Sequence, residues 1–92
     1  MCLISVLTLM QDRSYPEAGA MLYDLIVSKI DDDKIVLDLT GVVSLPSMFL
    51  NTSIGKFIDD YGVGLLRQKV SFANITTTQA TRIKEYIARV TE

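Results

Sequence analysis

Apolar residues recur along this chain with two different periods, and the change of period separates predicted strands from predicted helices. The segment 3–9 is apolar and rich in β-branched residues, which predicts a first strand. The segment 34–39 is a nearly continuous aliphatic run, typical of a central strand covered on both faces. The run 69–73 predicts a third strand. Elsewhere apolar residues recur every three to four positions, the spacing of amphipathic helices.

Polar residues with capping character stand at the beginning of each predicted helix. Ser14 begins a Ser-x-x-Glu pattern, which predicts a helix that continues to about residue 30. A second helix is predicted from Ser47 to about Tyr61, where the glycines that follow end it. Thr76 precedes Gln79 at capping-box spacing and predicts a third helix.

The resulting order, β-α-β-α-β-α, predicts the α/β class. Parallel strands joined through helices use right-handed crossovers, so we expect a small open sheet of three to four mainly parallel strands with helices packed on it. A chain of 92 residues forms one hydrophobic core, and no linker or repeat divides it. Residues 1–92 are therefore predicted to be a single domain.

Composition and charge narrow the classes of partner. Nine basic and eleven acidic residues, spread along the chain, give a net charge of −2. This argues against a nucleic-acid partner, which requires a clustered basic face. No segment approaches the roughly 20 apolar residues of a membrane span, so no membrane partner is expected. One cysteine, Cys2, and the lack of a signal peptide predict a cytoplasmic protein.

The residue types of the chain also disfavour catalysis and metal binding. There is no histidine, which removes Ser-His and Cys-His nucleophile pairs and most zinc sites. No glycine-rich phosphate-binding motif is present. Asp59 and Asp60 are adjacent on a predicted helix, so their side chains diverge and cannot flank a substrate bond. We expect no enzymatic activity, no metal and no cofactor.

Polar side chains follow each predicted strand, where the carboxyl ends of parallel strands form the usual binding edge of a sheet. Arg13, Thr40, Ser47 and Asn74 lie in these loops, next to helix N-termini that favour negative charge. One interpretation is a small anion- or nucleotide-binding module in which Arg13 clamps the anion. In the other, the polar residues are ordinary helix caps (Ser14, Ser47, Asn74 and Thr76) and Arg13 is a surface residue.

Three large apolar residues in succession, Met48, Phe49 and Leu50, follow the serine that begins the second helix. One face of a helix cannot bury all three, so Met48 is expected to be exposed beside the polar edge. An exposed apolar side chain beside Ser47 is a candidate contact for another protein. Packing of Met48 against the third helix is the alternative.

Several short motifs recur in a known family. They are an arginine before the first helix, a hydrophobic-Asp-hydrophobic strand, a serine followed by Phe-Leu-Asn, a Gly-Lys pair and a final aromatic strand. In this chain they are Arg13, Leu37-Asp38-Leu39, Ser47, Phe49-Leu50-Asn51, Ile54-Gly55-Lys56-Phe57 and Phe72-Ala73-Asn74-Ile75. Over residues 12–90 the chain resembles the STAS-like domain of unknown function, a relative of the STAS domains of bacterial anti-sigma factor antagonists.

The resemblance implies a non-catalytic regulatory module that binds a partner protein through the edge between strand two and helix two. In STAS domains that partner is an ATPase-type kinase of the histidine-kinase-like fold; a homodimer is a further alternative here. The residues expected to contact the partner are Ser44, Ser47, Met48, Phe49 and Asn51.

The resemblance also bears on regulation by phosphorylation. In STAS domains, phosphorylation of a serine at this helix start breaks the complex, since a phosphate adds roughly −1.5 to −2 charge. A gapless overlay on the Asp-Ser-Ser-Gly motif of the antagonists places Pro46-Ser47-Met48-Phe49 there, without the acidic residue. Ser47 becomes the candidate phosphoacceptor only with a shift of one residue, so partner binding is the leading expectation.

Overall fold

Three parallel strands form the sheet of the computed structural model, which describes residues 2–31 and 34–91. The strands are β1 (Cys2–Ser5), β2 (Ile35–Asp38) and β3 (Val70–Ala73). They lie in the order β1-β2-β3, with β2 in the centre and both pairs parallel. The predicted small open parallel sheet with helices packed on it is confirmed, and 62% of the described chain is helical.

Across the described residues, six α-helices and one π-helical segment complete the fold. The helices are α1 (Val6–Met10), α2 (Tyr15–Ser28), α3 (Ser47–Leu50), α4 (Lys56–Tyr61), α5 (Val63–Lys69) and α6 (Thr77–Val90). The π-helical segment, Asn51–Gly55, joins α3 to α4 without leaving the right-handed helical conformation. The predicted second helix is therefore continuous from residue 47 to 61, and Gly62, with a φ of 91°, ends it.

The predicted caps of two helices are confirmed. The Ser14 hydroxyl accepts a hydrogen bond from the Glu17 backbone N–H at the start of α2. At the start of α6, the Thr76 hydroxyl accepts from the Gln79 N–H, and the Gln79 side chain accepts from the Thr76 N–H, each at 3.1 Å. These reciprocal bonds satisfy N–H groups that have no partner within the helix.

The strand predicted over residues 3–9 is wrong beyond Ser5, where α1 begins. The Ser5 hydroxyl accepts from the Thr8 N–H and caps the helix, and Val6 and Leu9 are buried on one side of it. The two polar residues of this segment, Ser5 and Thr8, are three positions apart, a spacing that suits a helix and that the strand prediction overlooked. The short helix α5 was also not predicted.

In the described part of the chain, helices cover only one face of the sheet. Because the strand order follows the chain order, right-handed crossovers place the connecting helices on the same side. The strand residues buried on that side are Ile4, Ile35, Leu37 and Val70. On the other side Leu3 is 61% exposed and Val36 is only half-buried. The prediction that β2 is covered on both faces is therefore wrong for the described residues.

A close approach at Gly19 packs α2 against α3 and the π-helical segment. A Cβ at Gly19 would overlap the Thr52 side chain and lie 2.6 Å from the Phe49 carbonyl oxygen, so only glycine fits without a shift. The Thr52 hydroxyl donates to the Met48 carbonyl at 2.9 Å, which satisfies a carbonyl near the π-helical segment. Over residues 2–31 and 34–91, no helix is both long and apolar enough to cross a bilayer.

Candidate functional site

Asp38, the last residue of β2, forms hydrogen bonds with the loops that follow β2 and β3. Its Oδ1 accepts hydrogen bonds from the Asn74 amide at 2.9 Å, from the Thr40 hydroxyl at 2.7 Å and from the Thr40 backbone N–H at 3.0 Å. These donors, the Asn74 amide first, hold the pKa of the Asp38 carboxyl below its usual range. The carboxylate therefore stays ionised at neutral pH and fixes the carboxyl edge of the sheet.

This arrangement counts against the predicted anion site. Thr40 and Asn74 already donate to a carboxylate, and a second anion there would be repelled by Asp38. The Arg13 guanidinium donates to the carbonyls of Leu9 at 3.1 Å and Thr8 at 3.4 Å. Arg13 thus binds backbone carbonyls at the C-terminal end of α1, where a positive charge is favourable. Asn74 is also not a helix cap, because it bonds Asp38 from a left-handed conformation with φ of 55°.

The loop from β2 to α3 is held against α6 by two side chains of that helix. The amide of Gln79, which is buried, donates to the Val42 carbonyl at 2.7 Å. Arg82 donates through Nε to the Leu45 carbonyl at 3.2 Å and through Nη2 to the Ser47 hydroxyl at 3.0 Å. Because a rigid helix satisfies these loop carbonyls, the irregular segment has a defined shape.

The held loop presents apolar side chains to solvent. Val43 is 94% exposed and Met48, in the first turn of α3, is 58% exposed. Ser44 and Ser47 are exposed between them. We call these four residues the β2–α3 edge. Beside the edge lies an open hollow of about 370 Å³, lined by the loop and by α6, including Arg82.

The residues predicted to contact the partner do not all lie on this exposed surface. Met48 is exposed as predicted, so the alternative that it packs away against the third helix is wrong. Phe49 is only 2% exposed, which removes its side chain from this surface and corrects the prediction. Phe49 faces inward because consecutive helical positions are about 100° apart. Asn51 is exposed, but its Oδ1 accepts from the Tyr86 hydroxyl at 2.7 Å and joins α6 to the π-helical segment.

Ser47 is the first residue of α3, and it is not the cap. Pro46 occupies the N-cap position and makes no side-chain capping bond. The Ser47 hydroxyl instead accepts from Arg82, a residue 35 positions away in sequence. Its side chain therefore contributes to holding the loop on α6, and the interpretation of Ser47 as an ordinary cap is wrong.

A family model for the STAS-like domain of unknown function matches residues 18–80 of the chain. The chain belongs to this family. The matched range begins in α2, contains the whole β2–α3 edge and ends at the start of α6. Searches of curated proteins and of solved structures returned no match.

Three residues of this STAS-like domain that shape the edge were not predicted as site residues: Val43, Gln79 and Arg82. The sequence identifies Gln79 as half of a capping box, but it does not show which group accepts the hydrogen bond that the Gln79 amide donates. Arg82 follows Gln79 by three positions on the same helix face, a spacing that brings both side chains to one surface. That spacing was the signal in the sequence.

Two tyrosines elsewhere in the STAS-like domain have raised pKa values, each with a structural cause. The Tyr23 hydroxyl donates to the Asp60 carboxylate, and this bond, with smaller contributions from burial and nearby charge, raises the pKa of Tyr23 to about 12. The Lys56 ammonium lies 4.6 Å from the centre of the Tyr23 ring. Burial, reinforced by Asp59, raises the pKa of Tyr86. Among the described residues, no three acidic or cysteine side chains are grouped as a metal site.

Proposed function

We propose that this STAS-like domain is a non-catalytic regulatory module that binds a partner protein through the β2–α3 edge. The observation that carries the proposal is the exposure of Val43 and Met48 on a segment that Gln79 and Arg82 hold in place. Covering apolar side chains is favourable at about 25 cal/mol per Å². A segment already fixed loses little conformational entropy on binding, which favours association further.

The partner we propose is an ATPase of the histidine-kinase-like fold, in the cytoplasm. The support is the resemblance of this family to STAS domains, which bind ATPases of this class through the corresponding edge. In this proposal the STAS-like domain carries out no catalytic step and provides a binding surface.

Ser47 is the residue at which we propose regulation by phosphorylation. Its hydroxyl is exposed, next to Met48 in sequence and 3.0 Å from the Arg82 guanidinium. A phosphate of roughly −1.5 to −2 charge there would engage Arg82 and place charge beside the apolar contact. The charge beside Met48 would weaken a complex that covers this side chain.

Isothermal titration calorimetry with an ATPase of the histidine-kinase-like fold from the same organism tests the proposal. We expect Met48→Asp and Val43→Asp to weaken the complex at least about tenfold, because each buries a charge in the interface. Ser47→Glu should weaken it in the same direction. The matched control is Met21→Asp, since Met21 is an exposed methionine of α2, outside the edge.

Two results would count against the proposal in different ways. Normal binding by both edge variants would show that the surface is wrong, even if the ATPase binds. Failure of the unaltered protein to bind the ATPase would show that the class of partner is wrong. Equal weakening by Met21→Asp would attribute the loss to folding, which circular dichroism of each variant checks.

A further inference from the structure

A second surface, independent of the β2–α3 edge, lies between β3 and α6. It is an open groove of about 390 Å³, and the side chains of α6 that line it are not those that hold the loop. Its lining includes Phe72, Ile75, Ala80, Ile83, Lys84 and Ile87. The groove runs beside an edge strand of the sheet, because β3 pairs only with β2 among the described strands.

The outer edge of β3 has backbone groups directed away from the sheet. The Leu39 N–H donates to the Ala73 carbonyl at 3.0 Å, so Ala73 and, by alternation, Ser71 face β2. Val70 and Phe72 therefore direct their backbone groups outward. The Val70 N–H already bonds the Leu66 carbonyl at the end of α5. The Val70 carbonyl and both backbone groups of Phe72 remain directed to the free edge, which is a template for another strand.

The floor of the groove is an apolar stripe of α6. Ala80, Ile83 and Ile87 follow one another at spacings of three and four, so they share one side of the helix. Ile83 is buried, but Ala80 and Ile87 are only half-buried. Phe72, on the strand opposite, is also half-buried. Side chains that enter this groove would cover apolar surface that the domain itself leaves partly open.

The charge of the side chains lining the groove indicates which kind of partner can bind there. Of the described residues lining the groove, Lys84 is the only charged one. Glu85 lines the neighbouring hollow on α6 instead. An isologous contact between two copies of this surface would bring two Lys84 side chains together without a carboxylate from the groove to pair with them. The positive rim favours a partner that supplies a carboxylate.

We propose that this groove binds an extended peptide segment of a partner protein, which adds a strand to the free edge of β3. In this mode backbone hydrogen bonds provide affinity, and alternate side chains enter the groove. The segment has apolar residues at alternating positions and an acidic residue placed to meet Lys84. The site is distinct from the β2–α3 edge, so both can be occupied at once.

Fluorescence anisotropy with designed peptides tests the proposal. The probes are fluorescein-labelled heptapeptides with Val, Ile, Leu or Phe at the second and fourth positions, threonine between them and two glutamates at the C-terminal end. We expect saturable binding by at least one of them. A matched set ending in two lysines should bind about threefold to tenfold more weakly, which is the range for one exposed charge pair reversed in sign.

N-methylation of the peptide backbone distinguishes strand addition from simple hydrophobic docking. Methyl groups on the amides that face β3 should weaken binding at least about tenfold, whereas methyl groups on the alternate amides should leave it unchanged. In the protein, Lys84→Glu should weaken binding of the glutamate peptides and improve binding of the lysine peptides. Glu85→Lys, on the neighbouring side of α6, is the control and should change neither.

Three results would overturn the proposal. One is the absence of saturable binding by every peptide of the set. Another is binding that N-methylation affects equally at both sets of positions, which would mean that no strand is added. The third is a concentration-dependent dimer in sedimentation that Lys84→Glu alters and that the peptides do not displace, which would make a second copy the occupant.

Discussion

The hydrogen bond from Gln79 to the Val42 carbonyl joins α6 to the loop that forms the β2–α3 edge, and Gln79→Ala removes it. The Gln79 side chain is 5% exposed and its amide nitrogen lies 2.7 Å from that oxygen. Leaving a buried carbonyl without its partner costs about 1–3 kcal/mol. Loss of the Gln79 half of the capping box costs a further amount of about 0.3–1.5 kcal/mol, the range for such a cap. The better helix propensity of alanine offsets a few tenths of a kcal/mol of this cost.

The free energy of unfolding should therefore fall by about 1–4 kcal/mol in Gln79→Ala. For a domain of this size that corresponds to a decrease in Tm of roughly 4–30 °C. Urea and thermal unfolding followed by far-ultraviolet circular dichroism measure both quantities. Thr76→Ala is the matched control, because it removes the other half of the capping box and keeps the bond to Val42; its cost should be about 1 kcal/mol.

Gln79→Glu separates the two roles of this side chain by pH. The introduced carboxylate still accepts from the Thr76 N–H but cannot donate to the Val42 carbonyl. It is disfavoured in its charged form, so its folded-state pKa is raised and the variant should regain stability as pH falls through that pKa. Equal costs for Gln79→Ala and Thr76→Ala, with no pH dependence in Gln79→Glu, would refute the inference that α6 holds the loop.

Further predictions concern the packing of α2 and the carboxyl edge of the sheet. Gly19→Ala should lower the free energy of unfolding by about 1–3 kcal/mol, because the added Cβ meets the Phe49 carbonyl. Gly64→Ala, in open space on α5, should raise it by about 0.5–1 kcal/mol. Urea unfolding of both variants tests whether the two changes have opposite signs. Asn74→Gly should raise the pKa of Asp38, as measured by carboxyl carbon NMR titration, because Asn74 is the main donor that lowers it. The stability that the lowered pKa provides is present at neutral pH and is lost as pH falls through the folded pKa, so the stability difference between this variant and the unaltered protein should narrow in acid; an unchanged pKa would contradict the assigned hydrogen bond.

Much of the fold could be predicted from local patterns in the sequence. The Thr76 capping box, the cap at Ser14 and the terminating glycine at position 62 are short-range signals, and each was confirmed. These features depend on a few neighbouring residues, so the sequence contains all the information that they need. The β2 strand was predicted for a similar reason, because its apolar run is bounded by polar residues.

The features that failed depend on long-range geometry. The open face of the sheet follows from the strand order β1-β2-β3, which periodicity does not encode. Gln79 and Arg82 reach partners 35 to 37 positions away, so their role at the edge appears only in the folded chain. The burial of Phe49 beside the exposed Met48 depends on the rotation of α3 relative to the sheet. An apolar triplet constrains that rotation without fixing it for each residue.

A partner protein bound at the β2–α3 edge should shield the backbone amides of that edge from solvent. Amide hydrogen exchange of the STAS-like domain, free and in complex with a histidine-kinase-like ATPase of the same organism, measures this shielding residue by residue. Binding should slow exchange in residues 42–48 and leave exchange in α2 unchanged. Protection confined to α2 or to the groove between β3 and α6, with unchanged exchange in residues 42–48, would contradict binding at this edge.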